Sequence, residues 1–250
     1  MYIPDYAPLS ISVNKTPIIE EIQTLSRDLF SRIAPVKFEK SRLPYRFDPG
    51  TPFEICTPEE YEGLSYDYWD GPERHSVEGR FKTFTHLILT HPRVDEEDRY
   101  KDNVRDPEGK ICRPYMLHQY PWSWRDDVRV PRIRNFVATL PFEYVQRVRI
   151  IALWEGEHIG NVHRDSVPYF TDPWRASGHG VINTNLLNGG SVLKLELPNK
   201  EIIDIDDDCF TFNECLFHGS TRGDKARIQL NVVGKFNATF SSLVRTNEAR

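Results

Sequence analysis

Between residues 145 and 236 the chain is a series of short apolar, β-branched runs cut by turns of Gly, Asn and Asp. That punctuation constrains the fold more than any other feature, because many short strands with regular turn signals close into a sandwich or a barrel. Residues 148–154 read as a strand ending at the turn around Gly156, and residues 159–165 and 180–187 read as two more. Asn188-Gly189-Gly190 makes a turn. In residues 191–197, Leu193, Leu195 and Leu197 alternate with Lys194 and Glu196, the period-two signature of a half-buried strand. Residues 201–205, 209–213 and 227–236 continue in the same style. A mainly β fold follows, and a double-stranded β-helix, or jelly roll, fits the strand count.

The N-terminal half has a different texture. Thr16-Pro17 predicts a helix start, with Ile18, Ile22, Leu25, Leu29 and Ile33 at helical spacing and Pro35 as the stop. Thr57-Pro58-Glu59-Glu60 predicts a second, shorter start. Residues 83–90 are apolar and β-branched enough for a strand, whereas 92–110 are crowded with charge and predict a solvated excursion. These N-terminal helices are expected to cover one outer face of the major sheet. The expected organisation is one domain over 1–250. Residues 1–140 supply helices, strands and substrate-side insertions, 141–240 the jelly-roll core with the metal site, and 241–250 a tail.

Charge narrows the partners. The 32 basic and 37 acidic residues leave a net charge of −5 with no basic stripe, so no nucleic-acid partner is expected. The first residues lack a basic and an apolar region of signal-peptide type, and no apolar run approaches a membrane span. Cys56, Cys112, Cys209 and Cys215 show no CxxC spacing. A cytoplasmic protein with reduced thiols and no membrane partner is the expectation; the sequence carries no sign of an oligomeric state.

The chemistry concentrates in His163-Arg164-Asp165, His218 and Arg227. On a strand, His163 and Asp165 project to one face while Arg164 points away. An isolated HxD triplet is more often a surface pair, but this one follows an apolar strand and a Gly turn, with His218 after a later strand. Two imidazoles and one carboxylate with open positions opposite form the usual ligand set of a non-haem Fe(II) oxygenase. In residues 227–236, Arg227, Gln229 and Asn231 share one face and Ile228, Leu230 and Val232 the other. A guanidinium aimed at a barrel interior is costly unless an anion meets it, and the distal carboxylate of a chelating keto acid suits its fork. The bland alternative is a structural ion pair with Glu214 or Asp224; Arg222, in a turn, is a rival anion ligand. Asn183 and Asn185 share a face that reaches either cofactor or substrate, or simply forms a polar edge. The loop 166–179 leaves the metal strand, so Tyr169, Trp174, Arg175 and His179 are candidates to cover the site. Arg164, Arg175 and Arg222 are candidate holders of a substrate carboxylate. His118, Trp122 and Trp124 form an aromatic cluster more typical of core, and His158 reads as a turn residue with no HExxH spacing.

Residues 140–236 resemble the Fe(II)/2-oxoglutarate-dependent dioxygenase superfamily. Within them, RVRIIALWEGEHIGNVHRDS followed by FHGSTRGDKARIQL is similar to the aspartyl/asparaginyl β-hydroxylase and cis-proline-hydroxylase branch. The resemblance implies that His163, Asp165 and His218 bind iron and that Arg227 pairs with the 2-oxoglutarate tail, with Asn183 and Gln229 nearby. Gln229 stands where many relatives have Ser or Thr. Asp165 is present where related halogenases carry a small residue, which points to hydroxylation. The implied activity is oxidation of a C–H bond of an amino acid or derivative by O2, with succinate and CO2 released. Two alternatives remain open at this stage: a peptide or protein side-chain hydroxylase, and a non-catalytic cupin-like metal-binding barrel, although cupins usually recruit further histidines and a glutamate.

Overall fold

The computed structural model describes residues 2–32, 45–46, 54–55, 85–92, 122–154, 161–162, 172, 174–216, 218–220 and 225–245. In chain order the early strands are β1 (Tyr6–Pro8), β2 (Ser31–Arg32), β3 (Tyr45–Arg46), β4 (Glu54–Ile55), β5 (Thr85–Ile88), β6 (Thr90–Pro92) and β7 (Trp122–Trp124). They are followed by β8 (Phe142–Leu153), β9 (Asn161–Val162), β10 (His179–Leu187), β11 (Leu193–Glu196), β12 (Ile202–Ile205), β13 (Cys209–Phe212), β14 (His218–Ser220) and β15 (Arg227–Phe236). Three α-helices are described: α1 (Lys15–Thr24), α2 (Pro131–Ala138) and α3 (Phe240–Leu243). The fold is mainly antiparallel β.

One antiparallel sheet has the order β1-β13-β10-β15-β8-β5-β2. The smaller sheets run β12-β11-β14 and β4-β3-β9, β6 pairs with β7, and β9 lies beside β14. From β8 onward the chain passes repeatedly between layers: β8, β10, β13 and β15 belong to the large sheet, and β9, β11, β12 and β14 to the smaller ones. Glycines permit the tight places. Gly189 and Gly190 take positive φ in the turn after β10, as the Asn-Gly-Gly motif predicts. A Cβ on Gly234 would lie 2.4 Å from the Tyr144 carbonyl oxygen of the neighbouring strand.

The large sheet has two buried faces of opposite character. On one, Val148, Ile150 and Ala152 of β8, Ile228, Leu230 and Val232 of β15, and Ile182 of β10 join Ile18 and Ile22 of α1 and Ile133 and Val137 of α2 in a single core. The ladder aligns Val148 with Val232 and Val232 with Ile182, so strand alternation alone collects these side chains. The helices are fixed to each other as well as to the sheet. Glu21 of α1 accepts the backbone N–H groups of Arg132 and Ile133 at 2.8 and 2.9 Å, satisfying donors that the first turn of α2 leaves open. The other face meets the second sheet, where Leu193, Leu195 and Ile205 pack on Phe210 and Phe212.

Three expectations change. The first helix ends at Thr24 instead of running on to Ile33, because Leu25 turns extended and Ser26 starts a separate short 3-10 turn by accepting the Asp28 N–H. The strand expected from 148 begins at Phe142, so the core ladder is longer than its apolar stretch. Glu196 also departs from the expected alternation: it is buried, and Lys200 Nζ meets it at 2.6 Å. The expected start at Thr57 and the charged segment beyond Pro92 lie outside the described residues. No described helix is long and apolar enough to cross a membrane.

Ile150 is fully buried at the centre of the helix-covered face. Ile150→Ala is expected to lower the unfolding free energy by about 2–5 kcal/mol, read from the midpoint of a urea transition at unchanged slope.

Candidate active site

The face of the large sheet opposite the helices is buried yet polar. Register places Arg149 of β8, Asn231 of β15, Asn183 of β10 and Phe210 of β13 in one row. The next row is Ile151, Gln229 and Asn185, and beyond it Arg227 faces Leu153. Arg227, Gln229, Asn231, Asn183, Asn185 and Arg149 are all buried. The expected parity of residues 227–232 therefore holds residue by residue.

Arg227 is the first residue of β15 and only 8% exposed. Burial pulls its pKa down to about 10. A folded-state pKa below the ordinary arginine value means that folding disfavours the cation. The penalty, on the order of 3 kcal/mol, is present in full at neutral pH and fades only as pH rises past about 10. Glu214, a carboxylate considered as its ion-pair partner, lies 3.8 Å from Arg147 Nη2. Asp224 lies outside the described residues.

His218 heads a strand of its own, β14, paired with β11 through Leu195, where the sequence reading put it at the end of the strand that β13 turns out to be. The buried ring lies edge-on to Phe212 at 4.7 Å between centroids. Its Nδ1 is 2.9 Å from the Leu216 carbonyl oxygen. A carbonyl only accepts, so Nδ1 carries a proton, and in the neutral ring Nε2 carries the lone pair. That is how metal-binding imidazoles are usually oriented, with the second nitrogen donating to a fixed acceptor. The ring thus suits a metal. His163 and Asp165 lie outside the described residues; β9, which ends at Val162 immediately before them in sequence, lies beside β14. Among the described residues, no three His, Cys, Asp or Glu side chains gather to hold an ion.

The remaining candidates divide. Asn185 Nδ2 donates to the Asp207 carbonyl at 2.8 Å, and Gln229 Nε2 approaches Asn185 Oδ1 at 3.4 Å, so these two amides brace one another beside Arg227. Asn183 Oδ1 accepts from Asn231 Nδ2 at 2.9 Å, while Asn183 Nδ2 is buried without any acceptor. An unmet buried donor costs about 1–3 kcal/mol, which marks the place as one a ligand can complete. Trp174 packs with Val181 and Val233, about 20 Å along β15 from Arg227 at 3.3 Å per residue. It stacks on His179, whose Nδ1 meets Ser177 Oγ at 2.7 Å and whose Nε2 meets the Tyr144 hydroxyl at 2.8 Å. Arg175, expected at the substrate, is instead engaged by the carbonyls of Ile3 and Pro4 at 2.6 and 3.0 Å and faces Asp5 at 3.6 Å. It ties the N-terminal segment down. Tyr169, Arg164, Arg222, His118 and His158 lie outside the described residues.

The sequence reading overlooked Arg147 and Arg149. The signal was there: in RVRIIAL, arginine alternates with valine and isoleucine, so both guanidiniums belong on the face opposite Val148 and Ile150. Arg147 Nη2 lies 3.4 Å from Asn231 Oδ1.

No family model matches the sequence, and no curated protein matches it. Among solved structures the chain is similar to a Pseudomonas putida prolyl-4-hydroxylase, with a TM-score of 0.33 and 12% identity over 64% of this chain and 73% of that one. It is also similar to an oxidoreductase of the 2OG-Fe(II) oxygenase family from Burkholderia pseudomallei, with a TM-score of 0.31 and 11% identity over 60% and 67%.

Proposed function

We propose that this chain is an Fe(II)- and 2-oxoglutarate-dependent oxygenase that hydroxylates a C–H bond of a small molecule, an amino acid or a derivative of one. The observation that carries the reading is a buried arginine opening the last strand of the large sheet, on the face turned from the helices. The strand order supports a double-stranded β-helix as the framework: β8 to β15 alternate between layers, β8-β15-β10-β13 adjoin in one, and β12-β11-β14 with β9 alongside make the other. The tautomer of His218 supports a metal ligand at the start of β14.

In this reading His163, Asp165 and His218 hold Fe(II). Arg227 takes the distal carboxylate of 2-oxoglutarate, with Gln229 as a further donor. When bound, iron and the keto acid supply the oxidising power from O2, with succinate and CO2 as the by-products. The protein's part is positional. Arg227 waits already desolvated, so its bond to a carboxylate is made without stripping water from the guanidinium. Leu216 holds the His218 ring in orientation, and Phe212 shields one side of it. Hydrophobic packing of Leu195, Phe210 and Phe212 keeps bulk water from this part of the interior. Tyr169 and Arg222 remain the proposed substrate contacts from the loops.

Incubation of the iron-loaded protein with 2-oxoglutarate and O2 is expected to release succinate. His218→Ala is expected to reduce that release by about 100-fold or more while retaining the wild-type circular dichroism. Equal release by the folded variant would remove His218 from the site.

A further inference from the structure

We propose that Arg147, Asn231 and Asn183 form an anchor for a carboxylate of the primary substrate. This rests on the oxygenase reading only in taking the Arg227 end of the interior for the cofactor. The three side chains are linked in series across β8, β15 and β10. Arg147 Nη2 approaches Asn231 Oδ1 at 3.4 Å, and Asn231 Nδ2 donates to Asn183 Oδ1 at 2.9 Å. Both amide oxygens that face the row are thereby used. What is left over at its two ends is donors alone: Arg147 Nε and Asn183 Nδ2 are each buried and without a partner.

Protein interiors rarely leave such donors unmet, and two of them flanking one amide call for an acceptor from outside the chain. The chemistry of that acceptor is restricted. A carboxylate only accepts, so it meets an Arg Nε–H or an amide N–H without setting a donor against it. A carboxamide or an amine would bring its own N–H groups against these donors. Glu214, 3.8 Å from Arg147 Nη2, offsets part of the guanidinium charge without reaching hydrogen-bond distance. Asn231 is four residues from Arg227 on β15, about 13 Å along the strand, so the row meets a different acceptor group from the carboxylate that Arg227 holds.

The test uses the full chain loaded with Fe(II) and 2-oxoglutarate without oxygen. The probes are the L-amino acids, each beside its C-terminal carboxamide, and the readout is the thermal unfolding midpoint. At least one free acid is expected to raise the midpoint by several degrees while its carboxamide does not. Arg147→Gln is expected to weaken that acid by about tenfold or more and leave the 2-oxoglutarate affinity within about twofold. Arg147→Lys keeps the charge opposite Glu214 but lacks Nε–H, and it is expected to weaken the acid as well; it serves if the glutamine variant fails to fold. Equal effects of acid and carboxamide, no shift with any acid, or a matching loss of 2-oxoglutarate affinity in the Arg147 variants would each overturn the anchor. If wild type binds no 2-oxoglutarate, the oxygenase reading fails separately, and the same panel on metal-free protein still decides the anchor.

Discussion

A sheet buried on both faces must be apolar on both or satisfy its polar groups from within, and everything else in this protein depends on how the large sheet meets that requirement. Its helix side is mostly hydrocarbon, with Val148, Ile150, Leu230 and Val232 under α1 and α2. Its other side holds Arg149, Asn231, Asn183, Gln229 and Arg227. A register slip of one residue would put these groups under the helices and the valines and isoleucines among the polar side chains. The pairing is thus pinned by the same alternation that builds the site. The desolvation of Arg227, carried at neutral pH as a standing cost, is a cost that a bound anion offsets.

Much of this was legible in the sequence because a strand declares its two faces at a period of two. The stretch 227–236 alternates polar and apolar residues at its start, and the structure reproduces that division side chain by side chain. The Asn-Gly-Gly turn and the strands near 180–187, 193–196, 202–205 and 209–212 were likewise marked by local chemistry. The first helix was read too long because Leu25 and Leu29 do pack on the core, but from a bend and a 3-10 turn; burial alone cannot reveal the geometry that achieves it. Arg175 could not be placed from its neighbours, since its partners are carbonyls of residues 3 and 4, far away in sequence. Arg147 and Arg149 were passed over because a strand rich in valine and isoleucine draws attention to its apolar face.

The two ends of the polar face divide the work of the proposed site. Arg227 lies at one end, flanked by the braced amides of Gln229 and Asn185. Toward the other, Arg147 and Asn183 present unmet donors, and beyond them His179 is held between Ser177 and Tyr144. Ser177 Oγ is 2.7 Å from the Trp174 carbonyl, which takes its proton, so Ser177 accepts from His179 Nδ1, and the Tyr144 hydroxyl meets Nε2 at 2.8 Å. Burial raises the Tyr144 pKa and keeps that phenol protonated. An imidazole with both nitrogens engaged is a rigid wall, which suits an end of the proposed site better than a reacting group.

The central claim is that Arg227 and the histidine of β14 serve one iron and one keto acid. The most direct measurement is anaerobic titration of the Fe(II)-loaded protein with 2-oxoglutarate, watching for a visible metal-to-ligand charge-transfer band. The account predicts a saturable band in the wild type that needs at least about tenfold more keto acid in Arg227→Ala. A folded, iron-loaded protein that develops no band would contradict it and leave a metal-binding barrel without oxygenase chemistry.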